Sequence, residues 1–315
     1  MKILVTGGAG FIGTNFINYA LKRNSDYHII NIDNLSCSNT DCISSIKLYR
    51  LYNFIEEDIL NKNKLEKIFI QENFDIVVNF AAESNVDNSI INPEHCMKTN
   101  ILGTQNLLEL SYKYKVKRFH QVSTDEVYGE ISLDSDKKFN EDSLLNPGNP
   151  YSASKSSADL ISLSFFKTYS LPITISRSCN NYGPYQFYDK LIPKIIMKAL
   201  KNEKIPIYGN GENMRSWIYV EDNCRAIDMI IKSGLPGSIY NISTDFEISN
   251  IDLVKLILYK LGKPLSLIEF VPDRLGHDLK YSMDCTKIKI ELDFSIKHDF
   301  SSAIDKTINW YLSKL

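Results

Sequence analysis

Residues 2–13, Lys-Ile-Leu-Val-Thr-Gly-Gly-Ala-Gly-Phe-Ile-Gly, carry a short apolar run straight into a cluster of glycines, and the helically spaced Phe16, Ile17, Ala20 and Leu21 follow. An apolar run that stops at glycine reads as a buried strand, and apolar residues at that spacing read as one face of a helix. The tract therefore predicts strand, tight turn and helix, with Gly8-Ala9-Gly10-Phe11-Ile12-Gly13 matching G-x-G-x-x-G and Gly7 adding a further glycine. Glycines at such a turn let the backbone approach a pyrophosphate, whose charge the unpaired N–H groups of the helix start then hold. Alone the pattern could be a flexible turn. Its placement makes it a dinucleotide site built on Gly7, Gly10, Phe11, Ile12 and Gly13.

Working outward, similar apolar runs recur at 29–33, 76–81, 119–123 and 173–176, with helical spacing between them, as at Ile101, Leu107, Leu108 and Leu110. Strands alternating with helices predict an α/β fold, a doubly wound parallel sheet of the Rossmann kind. Residues 1–180 are assigned to this dinucleotide-binding domain. After about residue 180 the rhythm loosens, and 181–315 are assigned mainly to a second, smaller α/β domain for substrate. Because 218–231 again reads as strand then helix, about 215–240 is expected to return to the first domain. Asp33 closes the second strand 20 positions after Gly13, where its carboxylate would accept from an adenosine ribose or merely cap the strand. Asn34, Leu35 and Ser36 follow, with no Arg or Lys close by for a 2′-phosphate, so NAD is favoured over NADP. Asp58 and Ile59 are expected near adenine, and the small residues of Ala81-Ala82-Glu83-Ser84 let a dinucleotide pass close to the backbone.

The bulk properties exclude several classes. A chain of 315 residues, 43% hydrophobic, can bury a large core. A net charge of −2 from 36 basic and 38 acidic residues leaves no footprint for nucleic acid or an anionic membrane. No apolar run approaches the roughly 20 residues that span a bilayer. Cys37, Cys42, Cys96, Cys179, Cys224 and Cys285 show no C-x-x-C spacing, and a strand that starts at Lys2 leaves no room for a signal peptide. Reduced thiols in a cytoplasm are expected, and no metal site.

Two constellations carry chemistry. Tyr151 and Lys155, at i and i+4 after Pro150, share a helix face. A phenol of pKa about 10 is a poor base near neutrality, and lowering it three units needs roughly 4 kcal/mol. An ammonium about 4 Å away can supply about that much at an effective dielectric near 20. The tract Ser123-Thr124-Asp125-Glu126-Val127-Tyr128-Gly129 adds two adjacent carboxyls, and elimination needs one acid and one base. Adjacent residues on a regular strand point to opposite faces, so the strand must end or bend near Thr124 for both to reach one substrate.

These tracts, with Asn180-Asn181-Tyr182-Gly183-Pro184-Tyr185, Lys190-Leu191-Ile192-Pro193, Pro206-Ile207-Tyr208-Gly209 and Asp273-Arg274-Leu275-Gly276-His277-Asp278, make the chain resemble the extended short-chain dehydrogenases/reductases. Within them it resembles the dTDP-glucose 4,6-dehydratases over nearly its whole length. The resemblance implies a redox-neutral cycle on dTDP-glucose or a related nucleotide sugar. Tyr151, with Lys155 and Thr124, takes the 4-hydroxyl proton as the C4 hydride passes to NAD. Glu126 then removes the C5 proton, a protonated Asp125 donates to the leaving 6-hydroxyl, and the hydride returns to C6. It further implies Thr99 and Asn181 beside the cofactor. By the same resemblance, Glu83, Ser84, Thr124, Asn180, Lys190, Leu191, Pro206, Tyr208, Arg215, Asn250, Arg274 and His277 are expected around the substrate, and a homodimer is expected through helices at about 95–115 and 152–168. Planar guanidinium forks such as Arg215 and Arg274 suit a diphosphate.

Asp125 separates relatives: sugar epimerases of the fold lack the acidic pair, and the nucleotide-glucuronate decarboxylases and GDP-mannose dehydratases usually show only the Glu. Several positions depart from the family pattern: Cys37, Asn85, Asn88, Arg177, Ser178 and Cys179. They leave the recognised base, thymine or uracil, open. The same chemistry on UDP-glucose or another nucleotide hexose, or a 4-epimerase, stands as the enzymatic alternative. A non-catalytic dinucleotide sensor is the other, and the Tyr/Lys pair argues against it.

Overall fold

The computed structural model describes residues 1–36 and 40–314, so Cys37 lies outside the described residues. The first half runs β1 (Lys2–Thr6), α1 (Phe11–Arg23), β2 (His28–Asp33), α2 (Thr40–Ile46), β3 (Tyr52–Glu56), α3 (Lys62–Glu72), β4 (Ile76–Asn79), α4 (Val86–Ile91), α5 (Pro93–Met97), α6 (Thr104–Lys113) and β5 (Arg118–Thr124). The second runs α7 (Pro150–Tyr169), β6 (Ile173–Ser178), β7 (Asn180–Tyr182), α8 (Leu191–Leu200), β8 (Ile205–Tyr208), β9 (Met214–Tyr219), α9 (Val220–Ser233), β10 (Ile239–Ile242), β11 (Glu247–Ser249), α10 (Asn250–Lys260), β12 (Ile268–Val271), α11 (Thr286–Leu292) and α12 (Phe300–Leu312).

Among the described residues, seven strands form one parallel sheet in the order β3-β2-β1-β4-β5-β6-β10. Strand succession reverses between β1 and β4, and the crevice beyond the carboxyl ends at such a switch point is where open α/β sheets bind ligands. A buried polar ladder fixes the register there. The Thr6 hydroxyl donates to Asn79 Oδ1 at 2.7 Å, and Asn79 Nδ2 donates to Gln121 Oε1 at 2.9 Å. Fully buried apolar strands with helices on both faces are what the near-continuous runs demand.

Past β6 the chain builds a three-stranded sheet, β11-β9-β7, and a two-stranded one, β12-β8, around a second cluster that includes Ile192, Ile196, Leu253, Ile257 and Ile304. The expected return at 215–240 divides. Strand β9 pairs with β7, which directly follows β6, whereas α9 packs on α1 and the following strand β10 joins the large sheet. Strand β4 also stops at Asn79, two residues short of the expected 76–81, so Ala81–Ser84 form the loop beyond it. No helix among the described residues is long and apolar enough to cross a membrane.

Candidate active site

The glycine turn fits a pyrophosphate for steric reasons. Gly7 has φ +72°, and a Cβ there would lie 2.6 Å from the Ala81 nitrogen; one at Gly13 would lie 2.4 Å from the Gly7 carbonyl. Both positions admit only glycine. At Gly10 a Cβ would meet only the Gly7 carbonyl, at 3.2 Å, so the open side of this residue is space for a ligand. Helix α1 starts there with no side chain capping it and no acidic residue in its first turn, leaving N–H groups and the positive dipole end facing the crevice. Asp33 accepts from the Ala9 N–H at 2.9 Å and the Leu35 N–H at 2.8 Å, so it fixes the turn while keeping lone pairs for a ribose. The residues thus fit a dinucleotide.

One cleft runs from this turn to the second cluster. All the residues expected to touch cofactor or substrate line it except Asp58 and Asp125. The Asp58 carboxylate accepts from the Leu60 N–H (2.8 Å) and Asn34 Nδ2 (2.9 Å), so it holds Asn34, which does line the cleft. Sequence reading missed Gln186, Trp217 and Tyr281 among the lining residues. The signal for Trp217 was present: it alternates with Arg215 on β9 and so shares its face. Arg215 lies 4.4 Å above the Tyr281 ring and donates to the carbonyls of Met214, Asp278 and Leu279. Across the cleft Lys190 Nζ donates to the Ser84 carbonyl at 3.0 Å, and Arg274 sits 3.9 Å from Asp87. His277 Nδ1 donates to the Asp273 carboxylate, 2.7 Å away, and burial lowers the imidazole pKa below the usual value. Among the described residues no group of His, Cys, Asp or Glu could hold a metal ion.

Strand β5 ends at Thr124, and residues 125–128 form a 3₁₀ turn whose N-terminus Thr124 caps through the Glu126 N–H, at 3.3 Å. The turn resolves the geometric demand only in part. Thr124 and Glu126 line the cleft, whereas Asp125 does not. It is buried behind Thr124, whose hydroxyl donates to Asp125 Oδ1 at 3.3 Å. Adjacent side chains still diverge on so tight a turn. Burial, then the neighbouring Glu126, pushes the Asp125 carboxyl up to about 7 against the pull of Arg215. Burial likewise raises Glu126, which Arg215 and Arg274 oppose.

A raised carboxyl binds its proton more tightly in the fold than in the unfolded chain. The sign follows: stability linked to Asp125 is complete below about pH 4 and is lost as pH climbs through about 7. Asp125→Asn removes that loss. The variant is expected to be more stable than the parent by on the order of a few kcal/mol at about pH 8, with the gain shrinking steadily toward about pH 4. Denaturant midpoints across that range check this, and a gain independent of pH would contradict it.

Tyr151 and Lys155 stand on α7, which a capping box from Asn149 and Ser152 starts. The expected lowering of the phenol is overturned. Lys155 Nζ donates to the Val122 carbonyl at 2.5 Å, and burial, then Glu126 and Asp125, pushes the Tyr151 phenol well above its usual value. A hydrogen bond with Thr124 acts the other way. Lys155 itself is pulled down by burial to about 8, with Asp159 and Cys96 opposing. A π-helical turn at Lys98–Gly103 presents Asn100, whose side chain accepts from the Glu83 N–H (2.8 Å) and donates to Ser154 Oγ (2.8 Å). It thereby ties the loop after β4 to α7.

The chain matches the family model described as GDP-mannose 4,6 dehydratase over residues 4–307. The low-salt glycan biosynthesis protein Agl12 of Haloferax volcanii is 44% identical, with 99% of both chains covered. A dTDP-glucose 4,6-dehydratase of Escherichia coli is 40% identical over 99% of this chain and 94% of that protein. Among solved structures, DesIV, a dTDP-glucose 4,6-dehydratase from Streptomyces venezuelae with NAD and TYD bound, superposes with a TM-score of 0.95 at 38% identity, covering 99% of this chain and 97% of that one. On these grounds the chain belongs to the GDP-mannose 4,6-dehydratase family, alongside the dTDP-glucose 4,6-dehydratases.

Proposed function

We propose that the protein is a dTDP-glucose 4,6-dehydratase, which oxidises C4 of the sugar, eliminates water across C5–C6 and yields dTDP-4-keto-6-deoxyglucose. One observation carries the reading: Thr124, Glu126, Tyr151 and Lys155 face a single cleft with the glycine turn, and Asp125, its carboxyl raised to about 7, lies directly behind Thr124. Gly7, Gly10, Gly13 and Asp33 would hold NAD, which would supply the hydride acceptor for C4 and the hydride donor for C6.

The chain's own residues move the protons. Once C4 is a carbonyl, the C5 hydrogen is acidic, and Glu126 takes it and later restores it. The water lost is therefore the 6-hydroxyl plus the proton that began on the 4-hydroxyl. A path for that proton exists: Tyr151 is hydrogen-bonded to Thr124, and Thr124 donates to Asp125. A phenol held high need not carry a full charge if it passes its own proton to Thr124 as it receives the one from O4. Asp125, a carboxylate at the start of the cycle and poised near 7, collects the proton and returns it through the Thr124 hydroxyl to the departing hydroxyl. Arg215, Arg274 and Lys190 supply the positive wall for the diphosphate, with Tyr208 and Asn250 toward the base.

Incubation with dTDP-glucose and with UDP-glucose, followed by alkali, tests the substrate. The 4-keto product is expected from the thymidine sugar in preference, and none from any nucleotide glucose would remove the dehydratase reading. We place the protein in the cytoplasm, on the buried thiols of Cys96, Cys179, Cys224 and Cys285, none of them in a disulfide, and recovery outside it on fractionation would argue otherwise. A homodimer is proposed through α6 and α7, which pack together and leave Tyr112, Leu160 and Tyr169 exposed on adjoining faces. Sedimentation is expected to give twice the chain mass, and a monomer at all concentrations would refute it.

A further inference from the structure

Strand β6 reads Ile-Thr-Ile-Ser-Arg-Ser, and its one charge, Arg177, has nowhere to reach water. Its side chain is 2% exposed. Arg177 Nε donates to Asp159 Oδ2 at 2.9 Å, and Asp159 is 0% exposed. Asp159 lies on α7, one turn beyond Lys155. On its other side the guanidinium lies 4.8 Å over the ring of Tyr128, which belongs to the 125–128 turn that bears Asp125 and Glu126. Tyr128 is fixed in turn, stacked on Phe139 and donating to Asn241 Oδ1 at 2.7 Å.

Stability alone is a poor reason for this arrangement. Removing two charges from water costs several kcal/mol per ion, and a well-packed apolar pair of the same volume is often as stable. Here the pair is also incompletely satisfied, because Asp159 Oδ1 and Arg177 Nη1 are buried without a partner. What the pair does achieve is a link between two elements that carry different halves of the chemistry.

We propose that Arg177 is a positioning residue: paired with Asp159 on α7 and laid on Tyr128 of the 125–128 turn, it holds the Asp125/Glu126 pair against the Tyr151/Lys155 pair, so that oxidation at C4 leads on to elimination. The proposal rests on the dehydratase reading. A second consequence concerns charge. Lys155 faces Asp159 and Tyr151 from its own helix and Cys96 from α5, and Asp159 is the largest influence keeping its proton on.

The test uses the full-length protein with its cofactor. Arg177→Met combined with Asp159→Asn removes both charges of the pair together. Arg177→Lys keeps a charge for Asp159 but has no plane to lie on Tyr128. Both variants are expected to release a 4-keto sugar that still bears its 6-hydroxyl, at most once per site because the hydride is not returned. Steady turnover is expected to fall by about 10²-fold, as for a misplacement of about 1 Å, with KM little changed. In the double variant the alkaline limb of the kcat profile, set by Lys155 near 8, is expected to move to lower pH. Should the double variant fail to fold, the lysine variant decides. Complete conversion to the 4-keto-6-deoxy sugar with no uncoupled product, whether at the parent's rate or slower, would overturn the proposal. The parent protein in the same assay separates the two claims, since its failure to make any 4-keto sugar would fault the dehydratase reading.

Discussion

Glu126→Gln is expected to lower kcat by about 10²–10⁴-fold, the range that loss of a positioned general base costs. The amide has the volume of the carboxyl and cannot take the C5 proton. Glu126 lines the cleft at the start of the 3₁₀ turn, and burial raises its carboxyl while Arg215 and Arg274 hold that rise in check. A base raised from its ordinary value is stronger, and Arg215 and Arg274 act against that rise. Because Tyr151, Thr124 and Lys155 are untouched, the variant should still oxidise C4. In deuterated water the parent is expected to place deuterium at C5 of the product, and the variant to leave C5 unexchanged. Normal deuterium incorporation by Glu126→Gln would take the base role away from this residue.

Tyr151→Phe should fail one step earlier, with a loss of kcat again of about 10²–10⁴-fold and with binding of dinucleotide and sugar nucleotide retained. Its ring keeps its place on α7, while the hydroxyl that meets Thr124 is gone. The C4-oxidised sugar is therefore expected from Glu126→Gln and absent from Tyr151→Phe, a contrast that a general loss of folding would not produce. Activity of the phenylalanine variant within a few-fold of the parent would remove Tyr151 from the reaction.

The elements with strong periodicity were legible from the residues alone. The run at 2–6 into Gly7–Gly13, and the apolar stretches that became β2, β4, β5 and β6, were readable because strands buried on both faces run near-continuously apolar. Most of the cleft wall was legible through family likeness, which transfers positions and not contacts. What escaped was side-chain direction. Asp125 is adjacent to Glu126 in sequence, yet a 3₁₀ turn puts it behind Thr124. Lys155 sits four residues after Tyr151, yet its ammonium goes to the Val122 carbonyl of β5, a contact between segments 33 residues apart. Asp58 turns to Asn34, and the strand expected to return near 218 finds β7 as its partner. The Arg177–Asp159 pair did leave a trace in the sequence: a charge inside an otherwise uncharged central strand must find a buried counter-charge. Its partner, 18 residues earlier on the neighbouring helix, was not readable from spacing.

The fate of one hydrogen tests the central claim most directly. The protein, carrying its cofactor and given no added reductant, is incubated with dTDP-glucose bearing deuterium at C4, and the product is examined by mass and nuclear magnetic resonance. A single cleft that oxidises, eliminates and reduces predicts dTDP-4-keto-6-deoxyglucose, one water lighter than the substrate, with the deuterium now at C6. A product that keeps its 6-hydroxyl with altered configuration at C4, or a 6-deoxy sugar whose C6 deuterium has been lost to solvent, would contradict it.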